Sequence, residues 1–165
     1  MINIREYNKD DADRLVLLAN NKNVSKYLGL TFPFPYTTKD SQWWLETGCK
    51  LNNAINRVVE YNGEFVGGIG IIPQKGWKSH IAEIGYWLGE EYWGKGIATE
   101  ALKQMTNLAN STKKYQKLFA PVLGPNKASM TVLEKNNYQL EGVFKQEVIK
   151  DETYFDIYYY AKKCF

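Results

Sequence analysis

The chain reads as an α/β (α+β) protein: a mixed central sheet of about seven strands flanked by helices. Three features lead there. Asn62-Gly63 separates two apolar alternating runs, the strongest short-range signal for an antiparallel hairpin. A Gly-rich turn at 93–98 carries one apolar strand into an amphipathic helix, and that helix leads to a second apolar strand, the pattern of a parallel step. Asp151-Glu152 then joins two final strands as a closing hairpin.

The elements follow in order. Residues 2–7 alternate into a short strand, and Asp10 or Asp11 is placed to cap a helix with Leu15, Leu18 and Ala19 on one face. Residues 21–30 suggest a second short helix, and Pro33 and Pro35 force an extended aromatic loop after it. Thr38 or Asp40 caps a third helix carrying Trp43, Trp44 and Leu45. The period then switches to strands at 54–61, 64–72 and 80–89, with a loop through Pro73, Gly76 and Trp77 before the last. Helix 98–111 places Ala101, Leu102, Met105, Leu108 and Ala109 along one stripe. Strand 118–123 ends at Gly124-Pro125, helix 126–136 offers Met130, Val132 and Leu133 to the core, and strands 141–150 and 153–161 close the chain. With no repeat and no linker, residues 1–165 are expected to form one domain.

Composition excludes several functional classes. Lys plus Arg exceed Asp plus Glu by 21 − 18 = 3, with no dense basic cluster, so nucleic acid is not an expected partner. No run approaches the roughly 20 apolar residues of a membrane span, and the first residues lack the apolar core of a signal peptide. Cys49 and Cys164 have no metal-ligand spacing and the chain has 1 His, so no metal site is expected. The expected location is the cytoplasm.

The turn Trp93-Gly94-Lys95-Gly96-Ile97-Ala98 carries the chemistry. A strand end followed by a helix start presents free backbone N–H groups and the positive end of a helix dipole, which suits phosphate oxygens. Gly94 and Gly96 permit positive φ and leave no Cβ against a ligand. Two nucleotide readings fail on single residues. A P-loop over 89–95 needs Ser or Thr next, where Gly96 stands, and a dinucleotide fingerprint needs Gly at Thr99.

Around this turn, Glu83-Ile84-Gly85-Tyr86-Trp87-Leu88 and Trp93 through Ala101 resemble motif A of the GNAT acetyltransferases, most closely the branch that acetylates ribosomal-protein N-termini. The likeness continues in Asn126-Lys127-Ala128-Ser129, in 133–138, in 140–146, in Phe34-Pro35-Tyr36-Thr37 and in 156–161, so it spans essentially the whole chain. It implies that acetyl-CoA is the co-substrate and lies in a V between strands 80–89 and 118–123. By that resemblance, the backbone of Tyr86, Trp87 and Leu88 runs beside the pantetheine. Amides of Gly94, Lys95, Gly96, Ile97, Ala98 and Thr99 take the pyrophosphate, and Asn126 bonds the pantetheine arm. The broader family begins its turn with Gln or Arg; Trp93 there marks the ribosomal branch.

Acetylating an amine requires a base, because an alkyl ammonium of pKa about 10 must first lose a proton. Glu83, the one acid in an apolar strand, is the first candidate, against the plainer reading of a surface or ion-paired carboxylate. Glu147 is the runner-up, because the family's closing hairpin borders the acceptor. Glu141 and Asp156 also fit the family pattern, and structural hydrogen bonding explains them equally well. A backbone N–H near Leu88 is expected to meet the carbonyl oxygen. Many family members carry a Tyr six residues after the motif Asn, and here that position is Val132. Ser129 matches the serine of the ribosomal branch, as a proton donor to sulfur or as a helix cap or CoA ligand. The Phe32 to Tyr36 loop, with Phe34 and Tyr36 foremost, and the pair Trp43-Trp44, with Trp43 singled out, are expected to wall the acceptor cleft. Helix packing is the alternative for both Trp, and His80 is expected to lie on the surface. The expected function is acetyl transfer from acetyl-CoA to a protein N-terminal α-amine or a small amine. The competing reading is a catalytically silent acyl-CoA-binding sensor or interaction module.

Overall fold

A computed structural model describes all 165 residues. Seven strands form one sheet in the order β1-β2-β3-β4-β5-β7-β6. They are β1 (Ile2–Arg5), β2 (Ile55–Tyr61), β3 (Glu64–Pro73), β4 (Ile81–Leu88), β5 (Lys117–Leu123), β6 (Gln139–Lys150) and β7 (Thr153–Lys163). Every neighbouring pair is antiparallel except β4 and β5, which the helix α4 (Ile97–Thr112) connects in parallel. Helices α1 (Ala12–Ala19), α2 (Lys22–Ser25) and α3 (Thr38–Glu46) precede β2, and α5 (Lys127–Lys135) lies between β5 and β6.

The two faces of the sheet have different cores. On one, Ile84 and Leu88 of β4 join Ile97, Ala101, Leu102 and Met105 of α4 and Met130 and Leu133 of α5 in the main cluster. On the other, Leu15, Leu18 and Ala19 of α1 pack with Tyr36, Val58 and Phe65, and Trp44 and Trp87 pack against them. Strand alternation sends even-numbered β4 side chains to the α4 face and odd-numbered ones to the α1–α3 face. No helix is long and apolar enough to cross a membrane.

Local chemistry corrects two expected helix caps and the length of one helix. Asn8 caps the first helical turn, and Asp11 answers as its reciprocal partner instead of capping. Asp11 also holds Arg5 through two hydrogen bonds of 2.8 and 2.7 Å, tying that turn to β1. Thr37 caps α3 with Asp40 reciprocating, so neither Thr38 nor Asp40 is the cap itself. The helix expected at 21–30 shrinks to α2, capped by the Asn21 side chain.

The sheet opens between β4 and β5. Their pairing covers only Ile81–Glu83 against Lys117–Phe119. Bonds from Gly124 N to Asp156 O and from Cys164 N to Gln116 O turn the even-numbered β5 amides toward β7. Pro121 therefore faces β4 with no N–H to offer, and the ladder cannot continue past it. On the other side of the gap, Gly89 N bonds Val66 O and Gln74 N bonds Ile81 O, so odd-numbered β4 positions pair with β3. The backbones of Ile84, Tyr86 and Leu88 are left facing the gap.

Candidate active site

Two clefts meet at this opening. One, of about 430 Å³, runs along the end of β4, the 93–99 turn, the start of α5 and the α2 segment. The other, of about 600 Å³, lies on the α1–α3 face over Glu83, Gly85 and Trp87. Both are lined by Tyr27, Leu28, Tyr86, Trp87, Asn126 and Ser129, which mark the junction.

The free hydrogen-bond donors of the first cleft are largely backbone. Gly94 and Gly96 adopt φ of 71° and 76°, the left-handed region glycine enters without strain, and a Cβ at either would point into open space. The first hydrogen bond of α4 runs from Glu100 N to Gly96 O, so the amides of Gly94, Lys95, Gly96, Ile97, Ala98 and Thr99 find no acceptor in the chain. Six free N–H groups at a helix N-terminus can take the oxygens of a pyrophosphate. The residues present thus fit the phosphates of a CoA molecule.

Trp93 serves this turn through its indole, which donates to Leu88 O at 2.9 Å and leaves the Leu88 N–H facing the gap. Of the three strand residues expected beside the pantetheine, Trp87 has its backbone paired with Gly68 of β3, so the free edge belongs to Tyr86 and Leu88. Lys95 lies with its Nζ 5.3 Å from the Tyr92 ring centre. The Asn126 side-chain oxygen caps α5 by accepting from Ser129 N at 3.2 Å, and its NH₂ remains to donate into the cleft. The Ser129 hydroxyl lies 2.9 Å from the Tyr86 hydroxyl, whose pKa burial pushes well above the ordinary phenol. Val132, at the position where the family resemblance expects a Tyr, lines the cleft.

The second cleft is made of side chains. Glu83 projects into it, half-buried, and burial alone raises its carboxyl above the usual range. The other carboxylates that sequence reasoning weighed are engaged elsewhere. Glu141 pairs with Lys117 at 2.8 Å, and Asp156 pairs with Lys145 at 2.9 Å while accepting from Gln146 N. Glu147 is exposed, in the stretch of β6 that bulges between Phe144 and Val148, and lines neither cleft. His80 is exposed, as expected.

Tyr36 and Trp43 line this cleft as expected, and burial pushes the Tyr36 hydroxyl up to about 12. Phe34 does not line it. Its side chain is exposed, and Phe32 takes the place, 5.3 Å from the Tyr36 ring and 5.4 Å from Trp87. Prolines flank Phe34 on both sides, and residues 31–35 run through turns and bends, where the sequence alone suggested an extended loop, so which ring faces the cleft is set by the path of the loop. Sequence reasoning also missed the α2 segment as a wall of the first cleft. The Glu90 carboxylate accepts from Asn21 and Asn23, 2.8 Å each, and Lys150 donates to Leu28 O at 2.7 Å. Paired Asn residues opposite an otherwise unexplained Glu90 were the available signal.

A model of the GNAT acetyltransferase domain matches residues 2–139. The chain belongs to the GNAT acetyltransferase family. As a GNAT enzyme it is an N-acetyltransferase that uses acetyl-CoA as co-substrate. Among its relatives is an uncharacterized N-acetyltransferase, p20, of Bacillus licheniformis, 26% identical over 97% of this chain and 91% of the relative. The ribosomal-protein-serine acetyltransferase of Escherichia coli is 32% identical over 49% of this chain and 45% of its own length. A solved ribosomal L7/L12 α-N-protein acetyltransferase in complex with coenzyme A superposes with a TM-score of 0.88 at 21% identity, covering 98% of this chain and 93% of that one. The shared architecture is that of the GNAT fold, a mixed seven-stranded sheet flanked by helices.

Proposed function

We propose that the enzyme transfers the acetyl group directly to a primary amine, a protein N-terminal α-amine or a small amine, with Glu83 as the base. The observation that carries this is the meeting of the two clefts at Tyr86 and Ser129, with an unpaired, desolvated carboxylate in the wall of the second. Acetyl-CoA supplies the thioester carbonyl. Gly94 to Thr99 hold its pyrophosphate, the Asn126 NH₂ and the free edge of Tyr86 hold its pantetheine arm, and the Leu88 N–H receives the carbonyl oxygen.

The amine arrives as an ammonium and gives its proton to Glu83, directly or through one water. The new C–N bond then forms as the C–S bond breaks. As the amide forms, the nitrogen sheds its second proton. That proton reaches the departing thiolate by way of the Ser129 hydroxyl, backed by Tyr86 at 2.9 Å, or passes to water while the thiolate leaves unprotonated, since a thiol of pKa about 8.5 is a fair leaving group. A carboxyl raised by desolvation is a stronger base than one in water, and this supports Glu83 over the paired Glu141 and Asp156.

The test is Glu83→Gln. A fall in kcat of about 10² with the KM for acetyl-CoA unchanged is expected. Wild-type turnover in that variant would move the proton to bulk water.

A further inference from the structure

The second cleft has a charge balance unlike the rest of the molecule. The chain carries 21 Lys and Arg, yet no Lys, Arg or His lines this cleft, while Asp40 and Glu83 do. Asp40 accepts from the backbone N–H and hydroxyl of Thr37 at 2.7 and 2.6 Å, which holds it ionised. The remaining wall is largely aromatic, with Tyr7, Tyr27, Phe32 and Trp43 around the opening. The amide of Asn56 is committed to Cys49 O at 2.8 Å. The wall thus offers acids and ring faces to a cation and no cationic side chain to an anion.

Gly85 sits on the same face of β4, between Glu83 and Trp87, and it is exposed. The glycines of β3 opposite sit in crowded surroundings. A Cβ at Gly67 would lie 2.1 Å from Trp87 O, at Gly68 2.4 Å from the Tyr7 hydroxyl, and at Gly70 2.2 Å from the Asn56 side chain. A Cβ at Gly85 would meet nothing within 4 Å, and its φ is not left-handed. Neither backbone conformation nor packing calls for glycine there, so the space above it is the feature to explain.

Resting on the reading of this cleft as the acceptor site, we propose that the enzyme selects primary amines with no carboxylate on the carbon beside the nitrogen, and that the acceptor chain lies across the bare Cα of Gly85. A peptide α-amine and an alkyl polyamine share this chemistry. A free amino acid does not, because its carboxylate would be held within a few ångströms of Glu83 with no cation to offset the repulsion.

The experiment compares alanine with alaninamide, an alanyl peptide amide and 1,4-diaminobutane as acceptors, with kcat/KM corrected for the unprotonated fraction of each amine. We expect the amide, the peptide or the diamine to exceed alanine by about tenfold or more. The preferred one among them identifies which source of the amine is used. Gly85→Val should raise the KM of the preferred acceptor by about tenfold, and Gly85→Ala by less, with the KM for acetyl-CoA within about twofold of wild type. Gly85→Ala carries the test if the valine variant fails to fold. Alanine acetylated as well as the best of the other three, an acceptor KM unmoved by either substitution, or no turnover on any of the four would overturn the proposal. Failure of the Glu83 assignment is separately visible, as wild-type kcat in Glu83→Gln whichever acceptor is preferred.

Discussion

The cleft proposed for the donor and the cleft proposed for the acceptor lie side by side on one sheet but are made of different material. Along the first of these the polar groups that face a ligand are mostly main-chain: six free amides from Gly94 to Thr99 and the unpaired edge of Tyr86 and Leu88, with the Asn126 and Ser129 side chains beside them. Along the cleft proposed for the acceptor they are mostly side chains drawn from many separate stretches, among them Tyr7 after β1, Phe32 and Tyr36 in the loop before α3, Asp40 and Trp43 of α3, Asn56 of β2 and Glu83 of β4. Backbone groups are the same in every chain, so a site made of them can keep one ligand while the sequence around it diverges. Side chains from separate elements change one at a time, so the neighbouring cleft is free to take different amines. One fold can therefore hold its donor constant and vary its acceptor.

Breaking the donor cleft should have the largest effect. Gly96→Val forces a β-branched residue into φ of 76° at the start of α4, and the dissociation constant for CoA should rise by about 10² or more in calorimetry. Wild-type affinity would mean that the turn does not hold the phosphates.

A second test sharpens the line between the clefts by pH. Burial raises the Glu83 carboxyl, so its basic form is lost as pH falls through a value above the ordinary glutamate range. With an acceptor of low amine pKa, kcat should fall on that acidic limb, and the limb should be absent from the residual activity of Glu83→Gln, while CoA affinity stays flat over the same window.

Phe32 and Phe34 offer a smaller contrast within one loop. Phe32→Ala should raise the acceptor KM by about tenfold, and Phe34→Ala should leave it within about twofold. Equal effects would mean that the loop closes differently around the acceptor.

The smallest expected effect is on stability. The folded state holds the Glu83 proton more tightly than the unfolded chain, so its ionised form costs stability above the raised value. That cost vanishes below the ordinary glutamate range, where both states are protonated. Glu83→Gln should therefore raise the melting temperature at neutral pH and leave it unchanged in strong acid. An equal shift at both pH values would point to packing instead of charge.

Much of this architecture was legible in the residues because its signals are local. Asn62-Gly63 does form the hairpin of β2 and β3, since both turn positions take positive φ, 54° and 85°. Gly94 and Gly96 stand at φ that other residues avoid, so their spacing ahead of an apolar helical stripe reported the turn directly. Glu83 stood out because one acid in an apolar strand has few explanations. Caps were read one or a few residues off, because Asn8 and Thr37 share their motifs with an acid three residues on and either end can pass for the cap.

What stayed hidden depends on contacts between distant segments. Glu147 belonged to a plausible strand, but it stands exposed in a bulge with no sequence signature of its own and lines neither cleft. Phe34 and Phe32 are equivalent by composition, and only the path of the loop against Trp87 separates them. Pro121 was visible in the sequence, yet its effect required knowing which neighbour its missing N–H would face.

By itself, then, the sequence determined the elements, the order that makes a mixed sheet, and the turn that suits a pyrophosphate, because periodicity, glycine torsion and capping act over a few residues. The tertiary structure decided which backbone edge stays unpaired, which carboxylate stays without a partner, and which face of Gly85 is left open. Those are properties of what another segment, often 40 or more residues away, does or does not supply.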